Sequence, residues 1–129
     1  MSTIKVDNIR IASESVSRPV TGVAAAWINF NGGGTGESDP DSVAIIRDSM
    51  NVDSITEKSL GEYTVNYNND MNSNGYSASG WANASGYSGA FATGDNIPTV
   101  SSIRTRVMNS AFRRTDSNVV CLTIHGDLA

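Results

Sequence analysis

The chain has 129 residues, enough for one domain, and its charged fraction of only 17% excludes a charge-rich disordered segment. The formal net charge of −4 argues against binding to nucleic acid, because that binding depends on lysine and arginine neutralising phosphates. The single cysteine, Cys121, excludes an intrachain disulfide, and no apolar run approaches the roughly 18 residues of a membrane span.

The N-terminal residues differ in pattern from the rest of the chain. They lack the apolar stretch of a secretory signal, so we expect a soluble protein made in a cytoplasm. Ser13–Pro19 has no usable core face and contains a proline. We interpret Met1–Pro19 as an arm with a short strand that is ordered against a neighbouring subunit; the alternative is a frayed terminus. Residues 20–129 are then predicted to form a single β-sandwich domain.

Alternation of apolar and polar residues with a period of two is the clearest local signal. In chain order it predicts strands over Ala24–Phe30, Val43–Arg47, Glu62–Tyr67, Ser101–Val107 and Val119–His125, with weaker candidates at Val6–Ile11 and Tyr76–Trp81. No segment has a clear helical pattern. The many Asn, Ser and Gly residues favour turns between short strands. We therefore predict an all-β fold: an antiparallel β-sandwich or jelly-roll-like barrel of about seven to eight short strands, with an N-terminal arm.

Several segments between the strands have the composition of turns. Asn31–Gly36 contains four glycines and is predicted to be irregular, because glycine resists both helix and strand. Asn68–Asp70 and Asn74–Gly75 are predicted to be turns. Ser79–Gly94 is rich in Ser, Gly and Ala but carries three aromatic residues, so it is either a long loop or a weakly specified strand.

Five segments in the N-terminal half of the chain resemble one family. They are Ala-Trp-Ile-Asn-Phe-Asn-Gly at Ala26–Gly32, together with Ser2–Asp7, Val43–Arg47, Met50–Thr56 and Gly61–Tyr67. In this order and spacing they are similar to a small module in virion proteins of tailed phages, often tail-fibre-like proteins of marine phages and cyanophages. Two departures matter. An acidic segment, residues 36–42, replaces the tight glycine turn of the family, and nothing after Tyr76 matches strongly.

The resemblance implies a structural protein on the virion surface, made in the host cytoplasm and acting as a homotrimer. The implied partners are further copies of the chain and the major capsid protein or tail components, with host surface glycan as a further candidate. The length of the chain favours a capsid decoration (cement) protein. The alternative is a short tail fibre or fibre tip with lectin-like binding. A fibre usually needs an attachment region, a shaft and a tip, which 129 residues without a repeat do not supply.

Residue types that carry catalysis or metal binding are sparse. Cys121 and His125 would lie about 13 Å apart along one strand, too far for a direct hydrogen bond. We interpret Cys121 as a small buried hydrophobic residue and His125 as a surface or interface residue. The acidic loop 36–42 lacks the spacing of an EF-hand and is predicted to be solvated rather than a Ca²⁺ site. Glycoside hydrolysis needs paired carboxylates, and Glu62 with a distant aspartate is all that the chain offers. We therefore expect no catalytic residue, metal or cofactor.

The remaining candidates are contact residues. Arg104 and Arg106 share one strand face, which is either solvated or a docking surface for an acidic partner. Trp27 and Phe30 are interface or packing candidates, because they lie in the strand predicted to be central. Four aromatic residues of the poorly patterned stretch are candidates for stacking on glycan or docking to a partner, or else for the core: Tyr76, Trp81, Tyr87 and Phe91.

Overall fold

A computed structural model describes residues 8–9, 18–19, 24–33, 44–84, 87–93 and 98–129. Its strands in chain order are β1 (Asn8–Ile9), β2 (Arg18–Pro19), β3 (Ala24–Asn31), β4 (Ile45–Met50), β5 (Val52–Ser59), β6 (Glu62–Tyr67), β7 (Ser77–Ala84), β8 (Tyr87–Thr93), β9 (Ser102–Met108) and β10 (Val119–His125). All regular secondary structure in these ranges is β-strand, which confirms the predicted all-β class. In the same ranges no helix has the length and hydropathy that crossing a membrane requires.

The long strands form a two-layered antiparallel sandwich. Sheet I has the order β4-β3-β10-β7, and sheet II has the order β9-β6-β5. β8 joins the two layers, because its first residues pair with β7 and its last residues pair with β9. β4 and β5 are therefore the two edge strands of this sandwich as the structure describes it, and β1 and β2 form a separate pair. The predicted antiparallel sandwich is confirmed.

The core lies between the sheets and is built from alternate residues of their strands. Phe30 of β3 is fully buried there and meets Tyr63 of β6 edge to face, with ring centroids 5.0 Å apart. Phe30 is thus a packing residue. Burying an apolar side chain of this size contributes about 1.5–3 kcal/mol. The other large buried apolar side chains come from four strands and one bridge residue: Ile28, Val65, Tyr67, Met71, Ile103, Val107, Val120, Leu122 and Ile124.

Three strands differ from the sequence-based prediction. Val52–Ser59 forms the edge strand β5, which the alternation missed because register shifts at Val52/Ser54 and Glu57/Ser59 interrupt the period of two. The Ser79–Gly94 stretch supplies most of β7 and of β8, so the long-loop alternative is wrong. Small residues here allow the two strands to pair, from Ala82 with Gly89 to Ala84 with Tyr87.

Two predicted segments lie largely or wholly outside the described residues. Of the predicted arm, residues 1–19, only β1 and β2 are described, and they pair antiparallel with each other. The acidic loop 36–42 lies entirely outside the described ranges.

Asp116 fixes the connection between β9 and β10 to the turn between β5 and β6. Its buried Oδ1 accepts a hydrogen bond from the Gly61 backbone N–H at 2.6 Å and lies 2.9 Å from the Tyr63 hydroxyl. That hydroxyl also lies 2.8 Å from the Gly32 carbonyl oxygen, so its one hydrogen is shared. Burial and the nearby Asp116 charge raise the pKa of Tyr63, which keeps the hydroxyl protonated as a donor. The 109–117 segment is thereby held at one end of sheet II.

Candidate functional site

The outer face of sheet I carries both tryptophans of the chain. Alternate residues of β3 point into the core, so Trp27 points outward, where it is partly buried. Trp81 projects from β7 and is 52% exposed. Trp27 is paired with Thr123, and Trp81 with Cys121, on the intervening strand β10. Two strand spacings across and two residues along the strand separate the tryptophan Cα atoms by about 12 Å. The sheet thus brings together two side chains that are distant in the sequence.

Two exposed aliphatic side chains extend this surface to the edge strand β4. Met50 is paired with Trp27, and Ile45, which is 60% exposed, is paired with Asn31. We call the surface formed by Trp27, Trp81, Met50 and Ile45 the tryptophan face. Exposed apolar side chains on one sheet face, such as Trp81 and Met50, are typical of surfaces that bind a protein or another ligand. The polar pair of Asn29 and Asp48 separates Ile45 from Met50.

A groove of about 540 Å³ opens beside Met50, at one end of the tryptophan face. Its walls include the exposed Leu128 and the turn residues Asn51 and Asn69. The Asn51 Oδ1 accepts hydrogen bonds from the Asn69 backbone N–H at 2.8 Å and from its side-chain amide at 3.0 Å, and the Asn51 Nδ2 donates to the Asn69 carbonyl. The wall of the groove is therefore fixed by internal hydrogen bonds.

The other predicted aromatic contacts do not join the tryptophan face. Tyr76 is half-buried and packs edge to face on Tyr67 with centroids 5.9 Å apart. Its hydroxyl lies within hydrogen-bonding distance of two backbone carbonyls, so Tyr76 is placed against the core. Tyr87 and Phe91 belong to β8, but their side chains lie outside the described part of the structure. Of Tyr76 and Trp81, the two candidates whose side chains the structure describes, Trp81 is the one that lies on an exposed surface.

Cys121 and His125 lie on the outer face of β10. Cys121 is only partly buried, between Asn29 and Trp81 in the strand register, so the prediction of a buried residue was wrong. It alternates with the core residue Leu122 and therefore points away from the core. His125 is exposed, as predicted for a surface residue. The described ranges contain no group of three or more His, Cys, Asp and Glu side chains that could hold a metal ion.

Arg104 and Arg106 of β9 converge on a single carboxylate. Glu62 begins β6 opposite Arg106 and is only 2% exposed. Its Oε1 lies 2.8 Å from Arg104 Nε and 3.0 Å from Arg106 Nε, and its Oε2 lies 3.0 Å from Arg114 Nη1. We call Glu62 and these three arginines the arginine cluster. Neither predicted arginine is simply solvated, because the sheet register sets both against a buried glutamate.

The arginine cluster keeps Glu62 ionised. Burial opposes the charge of the carboxylate, but hydrogen bonds from Arg106 and Ser59, with the charges of Arg104 and Arg106, outweigh burial and lower the pKa of Glu62. The Ser59 hydroxyl donates to Oε2 at 3.0 Å. Glu62 is therefore held in the charged form, whereas the general acid of a glycosidase must be protonated at working pH. The four charged side chains together carry a formal charge of +2.

Phe112 is an exposed residue that the sequence analysis missed. It lies on the turn between β9 and β10 and is 81% exposed. The signal in the sequence was an aromatic residue in a polar segment, Asn109–Thr115, without strand alternation. Alternation finds residues that point into a sheet core, so it gives no direction for a side chain on a turn.

Comparisons of this chain with models of known protein families, with curated proteins and with solved structures found no match. The tryptophan face and the arginine cluster are therefore interpreted from their own geometry.

Proposed function

We propose that the chain is a non-enzymatic structural protein on the outside of a tailed-phage particle, where it acts as a capsid decoration protein in homotrimeric form. The tryptophan face is the observation that supports this proposal best, because it is an exposed apolar surface on a sandwich with a well-packed core. The resemblance of Ala26–Gly32 and its companion segments to phage virion modules supplies the biological setting. The work of such a protein is contact with other subunits.

Burial of this surface supplies part of the free energy that association requires. A tryptophan side chain buries about 150–250 Å² when fully covered, and Trp81 still exposes about half of its surface. Covering the remainder contributes about 2–3 kcal/mol per subunit. In a closed trimer the same contact is repeated by symmetry. Met50 and Ile45 add to it, and both lie on the edge strand, where a neighbouring subunit has access.

The second candidate function is glycan binding by a short tail fibre or fibre tip. It is favoured by the placement of Trp27 and Trp81 on one sheet face, about 12 Å apart between their Cα atoms, because aromatic rings on a common face can stack on the sugars of one oligosaccharide. The adjoining groove beside Met50 would hold a further ring. In this alternative the tryptophan face binds sugar rather than a second copy of the chain.

Oligomeric state is the direct test of the leading proposal. We expect light scattering coupled to size exclusion to give a trimer for the recombinant chain and a monomer for Trp81→Ser, with the circular dichroism of the variant unchanged. Phe112→Ser is the matched control, because it removes an exposed aromatic residue from the turn between β9 and β10, outside the tryptophan face. A wild-type monomer, or a Trp81→Ser trimer of undiminished stability, would contradict the proposal.

Copy number and glycan binding separate the two candidates. Quantitative mass spectrometry of purified particles that contain the chain should give several hundred copies for a decoration protein. A few dozen copies or fewer would indicate a tail component. A glycan array with wild type and Trp81→Ser is the complementary measurement, since saturable binding that the substitution abolishes supports the tail-fibre alternative.

A further inference from the structure

A second surface, at one end of sheet II, combines an exposed aromatic residue with the arginine cluster. Phe112 lies two residues before Arg114, whose guanidinium contacts Glu62. Leu60, on the turn between β5 and β6, is a further exposed apolar residue and lies two residues before Glu62. This surface lies on the opposite sheet from the tryptophan face, and the proposed trimer contact does not use it.

Internal hydrogen bonds hold the turn that carries Phe112. The Asn109 Oδ1 accepts hydrogen bonds from the backbone N–H groups of Ala111 and Arg113, both at 3.0 Å. The Phe112 N–H donates to the Asn109 carbonyl at 3.0 Å, and the Asn109 N–H donates to the Arg113 carbonyl at 2.9 Å. The aromatic side chain is therefore presented from a fixed backbone.

Phe112 adopts a backbone conformation that disfavours a bulky side chain. Its φ of +57° lies in the left-handed region, which disfavours a residue with a Cβ. The side chain gains no compensating burial, because it is 81% exposed. Backbone strain of this kind clusters at functional sites in proteins.

The arginine cluster beside this turn is prearranged to bind an anion. Glu62 orients the guanidinium groups of Arg104 and Arg114, and these three side chains keep a formal charge of +1 in a chain of net charge −4. Arg114 is further held by its Nη1, which donates to the Ser59 hydroxyl at 3.2 Å. Arg104 and Arg114 remain partly exposed, and an incoming carboxylate can therefore reach them.

We propose that Phe112 and the arginine cluster form a docking surface for a protein partner that offers a carboxylate beside an apolar pocket. Aromatic residues and arginine are the types most enriched at the energetic centres of protein interfaces. The net negative charge of the chain opposes a polyanion such as nucleic acid, and Phe112 requires an apolar pocket that a simple anion lacks. This inference goes beyond the proposed phage function and does not depend on it.

The test uses the full chain and a displayed library of random dodecapeptides, selected on immobilised wild-type protein at low ionic strength. We expect the enriched peptides to carry Asp or Glu within a few positions of a large apolar residue. Synthetic versions should lose at least tenfold in affinity for Phe112→Ser and several-fold for Arg114→Gln. Raising the salt concentration should weaken binding to wild type, because the surface charges are screened.

Two matched variants control for charge and for exposed aromatic surface elsewhere. Arg47→Gln removes an exposed arginine from β4, and Trp81→Ser removes an exposed tryptophan from sheet I. Both should bind the selected peptides as wild type does, and circular dichroism should confirm that all four variants are folded. The proposal is overturned by a selection without acidic enrichment, by a selection that yields no binder, or by peptides that bind Phe112→Ser and Arg114→Gln unchanged. A single-stranded oligonucleotide that competes more tightly for the same residues would also overturn it.

Discussion

At the scale of single residues, two buried carboxylates stabilise the fold by different means. Asp116 accepts hydrogen bonds from neutral donors of another segment, the Gly61 N–H and the Tyr63 hydroxyl. Glu62 is instead surrounded by arginine charges. Asp116 therefore stabilises the fold by accepting hydrogen bonds from buried donors. Glu62 stabilises it by placing a negative charge among the arginines.

We expect Asp116→Ala to destabilise the protein by about 2–3 kcal/mol, because it removes a charged acceptor and leaves the Gly61 N–H buried and unpaired. Urea denaturation followed by tryptophan fluorescence measures this loss. Asp53→Ala is the matched control, since Asp53 is exposed and accepts a hydrogen bond from the neighbouring Ser54 hydroxyl; its effect should stay within about 0.5 kcal/mol. Equal effects of the two substitutions would show that Asp116 does not fix the β9–β10 connection.

The Glu62 carboxylate makes stability depend on pH in the acid range. Its folded-state pKa is lowered from 4.5, so the stabilisation is present above that value and is lost as the pH falls through the lowered pKa. We expect Glu62→Gln to cost about 2 kcal/mol at pH 7, below the value for a fully buried ion pair because solvent partly screens the arginines. The difference from wild type should shrink as the pH is lowered below 4.5. Denaturation series from neutral to acid pH measure it, and a difference that is independent of pH would contradict this role.

At the scale of elements, the turn between β5 and β6 requires glycine at its second position. Gly61 has a φ of +63°, and a Cβ there would lie 2.5 Å from the Thr115 carbonyl oxygen and 2.8 Å from the Val107 carbonyl oxygen. Both contacts are to backbone, so relief requires moving β9 and its connection to β10 away from the turn.

We therefore expect Gly61→Ala to destabilise the protein by at least about 3 kcal/mol, because a steric clash with backbone adds to the strain of a positive φ. Gly75→Ala is the control, since the nearest atom to a Cβ there is the Ser73 Oγ at 3.6 Å and its φ is not in the left-handed region. Thermal denaturation followed by circular dichroism compares the two variants. Equal melting temperatures for the Gly61→Ala and Gly75→Ala proteins would show that the turn does not require glycine at position 61.

At the scale of the whole molecule, the sandwich joins strands from opposite ends of the described domain. β3 pairs with β10 along most of its length, with Phe30 opposite Val120, and β10 then pairs with β7. Pairing segments so distant in sequence costs loop-closure entropy before the stabilising contacts between them form. This entropy cost slows folding.

We expect refolding from urea to take milliseconds to seconds, as in other small sandwiches dominated by non-local pairing. Stopped-flow tryptophan fluorescence is suited to the measurement, because Trp27 and Trp81 lie on the two strands that flank β10. Cys121→Ser provides a control against intermolecular disulfides. Refolding that is complete within the instrument dead time would show that the long-range pairing does not limit the rate.

The sequence by itself determined the all-β class and the alternating faces of β6, β9 and β10, because a period of two is a local property of a strand with one buried face. Val65, Ile103 and Leu122 follow from that pattern alone. It missed β5, because register shifts in that strand interrupt the period of two.

Only the tertiary structure decided which surface residues lie together. The pairing of β3 and β7 with β10 places Trp27 near Trp81, and the register of β6 with β9 places Glu62 beneath Arg104 and Arg106. The exposure of Phe112 likewise depends on how one turn is held. Strand pairing is a long-range choice among alternatives of similar local energy, and the packing of the complete core selects between them.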